Sequence, residues 1–167
     1  MKFIDIHQDP WHPVLNEAEL QPSPRANLLL SLDQWQAVRD HWPAGLACGV
    51  LVPNDADIET LEQDLPRLGL IALQFPQWVD GRAYSQARLL RSRYRFSGEV
   101  RAVGHVLVDM LPLLERTGFD AVLLRADQSE AAAQRALGFF PAHYQGDASD
   151  NRPWFLKRAA AADEVAA

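Results

Sequence analysis

Asp80-Gly81-Arg82-Ala83-Tyr84-Ser85 places a carboxylate, a guanidinium, a phenol and a hydroxyl within six residues. Such a set can hold an anion and move a proton, because it joins a fixed positive charge to groups that accept or donate hydrogen. Two later segments add to it. Gly104-His105 with Asp109 supplies an imidazole and a second carboxylate, and Arg125 and Asp127 add a further cation and carboxylate. The catalytic candidates are Asp80, His105 and Asp109; the anion-binding candidates are Arg82, Tyr84, Ser85, Arg101 and Arg125. Each also has a plain structural role open to it. Asp80-Gly81 suits a turn and a helix cap, Arg82 suits an ion pair with Asp80 or Asp109, and His105 suits a hydrogen-bonded structural position. Arg101 lies in the apolar run Val100 to Val103, so if buried it needs an ion pair or a ligand.

Residues 80 to 101 hold six arginines, at 82, 88, 91, 93, 95 and 101, against two acids, Asp80 and Glu99. On a helix Tyr84, Arg88, Arg91 and Arg95 share about 60° of arc. Arg88, Arg91 and Arg95 therefore form a candidate docking stripe for an acidic partner, or a solvated flank.

These groups need a scaffold, and hydrophobic patterning supplies one. Strands are expected at Asn27–Leu30, Ala47–Val52, Leu70–Phe75, Glu99–Val103 and Ala121–Arg125, with a last one at Ala142–Gln145. Helices are expected between them. Ser31-Leu32-Asp33-Gln34 reads as a capping box opening a helix to about His41. Asp57 caps a second helix, with Ile58, Leu61 and Leu65 inward and Pro66 and Gly69 ending it. A third runs from Arg82 to about Tyr94, with Ala83, Ala87, Leu90 and Tyr94 inward. A fourth runs from about Asp109 to Thr117 with Gly118 after it. A fifth starts at a capping box, Asp127 to Glu130, and ends near Gly138. Such alternation means repeated βα units and a mainly parallel sheet: an α/β fold, either open and doubly wound or an incomplete TIM-like barrel. In either, sites form at the carboxyl ends of the strands. Residues 1–26 are proline-rich and read as irregular, with Trp11 and Leu15 available to dock; 27–146 form the α/β domain; 147–167 form a tail, its alanine-rich end frayed.

Composition narrows the function. The net charge of −6 argues against a general nucleic-acid binder. No apolar run is long enough for a membrane span, and the acids and prolines of the first 25 residues do not resemble a signal peptide, so the cytoplasm is expected. The single cysteine, Cys48, lies within Leu46–Val52 and reads as a buried small hydrophobe. No dinucleotide, Walker, iron–sulfur or metalloprotease motif occurs, and no cofactor is expected. His7 and His12 with Asp5 and Asp9 lack the helical period that would align them on a metal.

Phe75-Pro76 through Arg91, Gly98 to Gly104, Val106-Leu107-Val108-Asp109 and Gly118-Phe119-Asp120-Ala121 together resemble one bacterial family, the domain of unknown function numbered 934. The likeness covers roughly residues 28 to 145. It departs at His105, where the family commonly has an acid or amide, and at Met110, where it has glutamine. The resemblance implies an oxidoreductase or accessory protein of assimilatory sulfite reduction, with the sulfite reductase haemoprotein as partner. Three readings follow: an accessory partner of that reductase; a small enzyme acting on a sulfur oxyanion or other anionic metabolite; and a non-catalytic dimeric module whose arginines only form ion pairs.

Overall fold

The computed structural model describes residues 1–16, 18–140, 143–148 and 150–153. Seven parallel strands form one sheet that curls into a half barrel. They are β1 (Lys2–Phe3), β2 (His12–Pro13), β3 (Leu28–Ser31), β4 (Cys48–Val52), β5 (Leu68–Phe75), β6 (Glu99–Gly104) and β7 (Ala121–Val122). The helices are α1 (Leu32–Val38), α2 (Arg82–Ser92), α3 (Leu111–Thr117) and α4 (Glu130–Leu137). No helix among the described residues is long and apolar enough to cross a membrane.

The strand order is β1-β7-β6-β5-β4-β3-β2. From β2 to β7 each strand is laid beside its predecessor, and the order never reverses. A doubly wound sheet reverses midway and carries helices on both faces. Of the two expected architectures, this is the barrel-like one. Alternate residues Leu30, Val50, Val52, Ile71, Leu73, Phe75, Val100, Ala102 and Val122 face the helices and join Trp35, Ala83, Ala87, Leu90, Leu111 and Leu114 in one core. Each fully buried aliphatic side chain contributes about 1.5–3 kcal/mol to that core.

The other face is covered by the chain's own beginning. β1 lies at one edge beside β7 and β2 at the opposite edge beside β3. The intervening segment brings Asp9 to Arg101 and seats the Trp11 ring where only glycine leaves room. A Cβ on Gly49 or Gly69 would come within 3.2 or 3.0 Å of that ring. Leu70, Ala72 and Ala121 on this face are fully buried. The segment expected to be irregular thus holds both edge strands. They are two residues long, too short for any sequence period. Trp11 docks, whereas Leu15 stands exposed.

Several local expectations change. Residues 57–67 form two 3₁₀ turns, Ile58–Leu61 and Leu65–Arg67, rather than one α-helix. Asp57 caps the first turn and Ile58, Leu61 and Leu65 are buried as expected. The three-residue step from Ile58 to Leu61 fits a 3₁₀ turn as well as an α-helix, and Leu65 opens the second turn. Pro66 lies inside the second turn, and Gly69 belongs to β5. Ser129, not Asp127, caps α4 by accepting from the Ala132 N–H. The expected last strand starts at Ala142, outside the described residues, and His143 to Gln145 are not strand. The alanine-rich end also lies outside them. The Ser31–Gln34 capping box is present in both directions, and Gly118 ends α3 in the left-handed conformation.

Candidate functional site

The carboxyl ends of β4, β5, β6 and β7 lie along one rim, because neighbouring parallel strands run in register. After β4 come Asn54 and Asp55. After β5 comes Trp78 to Arg82. After β6 come His105 and Asp109, and after β7 Arg125 and Asp127. Gly104 makes the β6 exit possible. Its φ is +95°, and a Cβ there would lie 2.5 Å from the Phe75 carbonyl oxygen, which accepts from the His105 N–H at 2.8 Å.

On this rim the charges are paired locally. Arg82 Nε and Nη2 donate to Asp80 Oδ1 and Oδ2 at 3.0 and 2.7 Å. That hydrogen bonding, helped by the nearby Asn54 side chain, holds the Asp80 carboxyl well below the usual carboxylate range, while Asp80 in turn raises the Arg82 pKa. Arg125 Nε and Nη2 donate to Asp127 Oδ1 and Oδ2, each at 2.6 Å. The Arg125 hydrogen bonds lower the Asp127 carboxyl to about 2. A general base works best with a pKa near the working pH, so both carboxylates act here as fixed charges. His105 and Asp109 are exposed.

The remaining candidates go elsewhere. Tyr84 is half-buried, its ring edge-on to Phe75 at 5.2 Å and to Phe119 at 6.4 Å, and burial raises its pKa. It packs α2 onto the sheet. Ser85 is exposed on α2. Arg101 turns to the face opposite the helices. Its Nε donates to Glu99 Oε1 at 2.7 Å, and its Nη1 and Nη2 donate to the two Asp9 oxygens. At 2% exposure it is a sealed internal ion pair, one of the two fates its position allowed. It therefore does not join Arg82 at the rim.

The docking stripe also divides. Arg91 turns inward. It donates to the carbonyls of Gly118, Phe96 and Gly98 and to the Asp120 carboxylate. Arg88 and Arg95 remain exposed, so the three do not form one surface.

Sequence reasoning missed Gln86. It is buried, and its Nε2 donates to the Pro53 and Ala56 carbonyls at 2.9 Å each, fastening the loop after β4 to α2. Its place among Ala83, Ala87 and Leu90 on the inner face was the available signal. The rim also carries an apolar element: Trp78 and Val79 are 56% and 63% exposed.

The family described as bacterial protein of unknown function (DUF934) matches residues 49–155. The chain belongs to this family. Among curated proteins none matches it. The DUF934 region opens within β4 and takes in the whole rim from Asn54 to Asp127. Asp9 and Trp11, which cover the opposite face, lie outside the matched residues.

Proposed function

We propose that this DUF934 protein serves assimilatory sulfite reduction in the cytoplasm as an accessory partner of the sulfite reductase haemoprotein. The sulfur pathway comes from the family resemblance. The docking role is supported by one observation on the rim. Trp78 and Val79 stand side by side in solvent on a turn braced by the Asp80–Arg82 pair. Exposed aromatic and apolar side chains beside fixed charge pairs are the composition of a protein-binding centre with a polar rim. The two rim carboxylates are ion-paired and ionise at low pH, which favours this reading over one that makes either of them a general base.

The test is retention of the haemoprotein from its native cytoplasm on tagged protein, read by haem absorption and mass spectrometry. Wild type is expected to retain it, and a Trp78→Ser, Val79→Ser double variant to lose it. A colourless eluate without reductase, or retention unchanged in the folded double variant, would overturn the proposal. Reversing charge at Arg91 is no test, because Arg91 holds the fold.

A further inference from the structure

A second cationic centre lies away from the rim, where α2 and α3 meet residues 145, 146 and 151. Arg88 of α2, Arg116 and Thr117 of the last turn of α3, and Gln145, Gly146 and Asn151 line an open cavity of about 470 Å³ there. Residues 147, 148 and 150 are tied in place beside it. The Ala148 N–H donates to the Arg116 carbonyl at 2.9 Å, and the Asp147 N–H donates to the Asp150 carbonyl at 2.9 Å. Asp150 Oδ1 and Oδ2 accept from Arg152 Nε and Nη2 at 3.0 Å each, and Asp147 Oδ1 accepts from the Asp150 N–H.

The two cavity arginines differ from most others in the protein. Arg39, Arg82, Arg91, Arg93, Arg101, Arg125 and Arg152 each have a carboxylate partner. Among the described residues Arg88 and Arg116 form no such pair, yet they line one cavity. The Arg116 Nε is buried without a hydrogen-bond partner, as are four other side-chain atoms among the described residues. The Thr117 hydroxyl donates back to the α3 carbonyls. Arg88, Arg116, Gln145 and Asn151 are the lining residues whose side chains can still donate, and two of them are cations. Two positive charges with planar, forked donors match a doubly charged tetrahedral oxyanion. The negative end of α3 beside them does not favour an anion, so both arginines are required.

We infer that this cavity is a binding site for a small tetrahedral dianion of the phosphate or sulfate class, held by Arg88 and Arg116. The cavity exceeds one such ion in volume, leaving space for an organic substituent on it. The site does not depend on the rim or on any partner.

The test is calorimetric titration of the full chain with inorganic phosphate, inorganic sulfate and glycerol phosphate, at low ionic strength against a chloride control. One saturable site is expected. Tighter binding of glycerol phosphate than of inorganic phosphate would mark an esterified ligand; equal or weaker binding would mark the free ion. Arg88→Gln and Arg116→Gln should each weaken binding at least tenfold, whereas Arg95→Gln, at an exposed arginine that does not line the cavity, should leave it unchanged. Absence of saturable heat, or affinity unchanged in Arg88→Gln, would overturn the site. So would an equal loss in Arg95→Gln, which would signify general charge attraction. Arg88 is exposed on α2, so its variant keeps the test decisive if Arg116→Gln fails to fold.

Discussion

Single residues of this protein divide by whether their partners were near in sequence. The Asp80–Arg82 and Arg125–Asp127 pairs are two residues apart and could be read directly. Arg101 announced its need for a partner by standing in an apolar strand, but Asp9 lies 92 residues away and left no trace. Arg91 was illegible for a different reason: three of its four acceptors are backbone carbonyls, which carry no residue signature. Cys48 was legible because its neighbours are apolar, and it is fully buried. Burial pushes its thiol up to about 12, from an ordinary value of 9.0, with Arg67 opposing. A proton held by the folded state and released by the unfolded one makes stability fall as pH rises. Stability should therefore decline from about pH 9 toward 12, and Cys48→Ala should show a shallower decline in urea unfolding across that window. At pH 8 a thiol reagent should label Cys48 only after unfolding; rapid labelling of native protein would contradict its burial.

At the scale of elements, strands β3 to β6 and helices α1 to α4 were visible because their periods run over four residues or more, and β7 was visible at its start, though it stops at Val122 short of the expected Arg125. The 3₁₀ turns were not, since the three-residue step from Ile58 to Leu61 is shared with the α-helix. The connection of elements depends heavily on one side chain. Arg91 ties α2 to the turn at 96–98, to the C-terminal end of α3 and to Asp120 before β7. A lysine has the charge but not the planar fork of donors. Arg91→Lys should cost about 3 kcal/mol, on the scale of lost charge-assisted hydrogen bonds. Urea unfolding measures it; a loss below about 0.5 kcal/mol, typical of a surface change, would mean that the guanidinium is not the tie.

At the scale of the molecule, the segment 4–11 crosses the sheet face that the helices leave open. Its polar anchor is Asp9 on Arg101 and its apolar anchor Trp11 over Gly49 and Gly69. Removing one partner from a buried ion pair leaves a charge uncompensated. Asp9→Ala should destabilise by about 3 kcal/mol, with Glu99 retaining part of the guanidinium's bonding. Chemical denaturation of the variant at neutral pH checks this, and unchanged stability would show the anchor to be unimportant. The crossing also sets an order of events. Lys2 pairs with Ala121, so strands made about 120 residues apart must meet before that edge of the sheet exists. At about 5–20 residues per second of synthesis, the first strand waits on the order of ten seconds for its neighbour to be made. Trp11 finds its seat earlier, once β4 and β5 are made, but β1 stays without a partner strand throughout that wait. Pairings so distant in sequence form slowly, and the nascent chain is a natural client for chaperones until its beginning can settle against its later half.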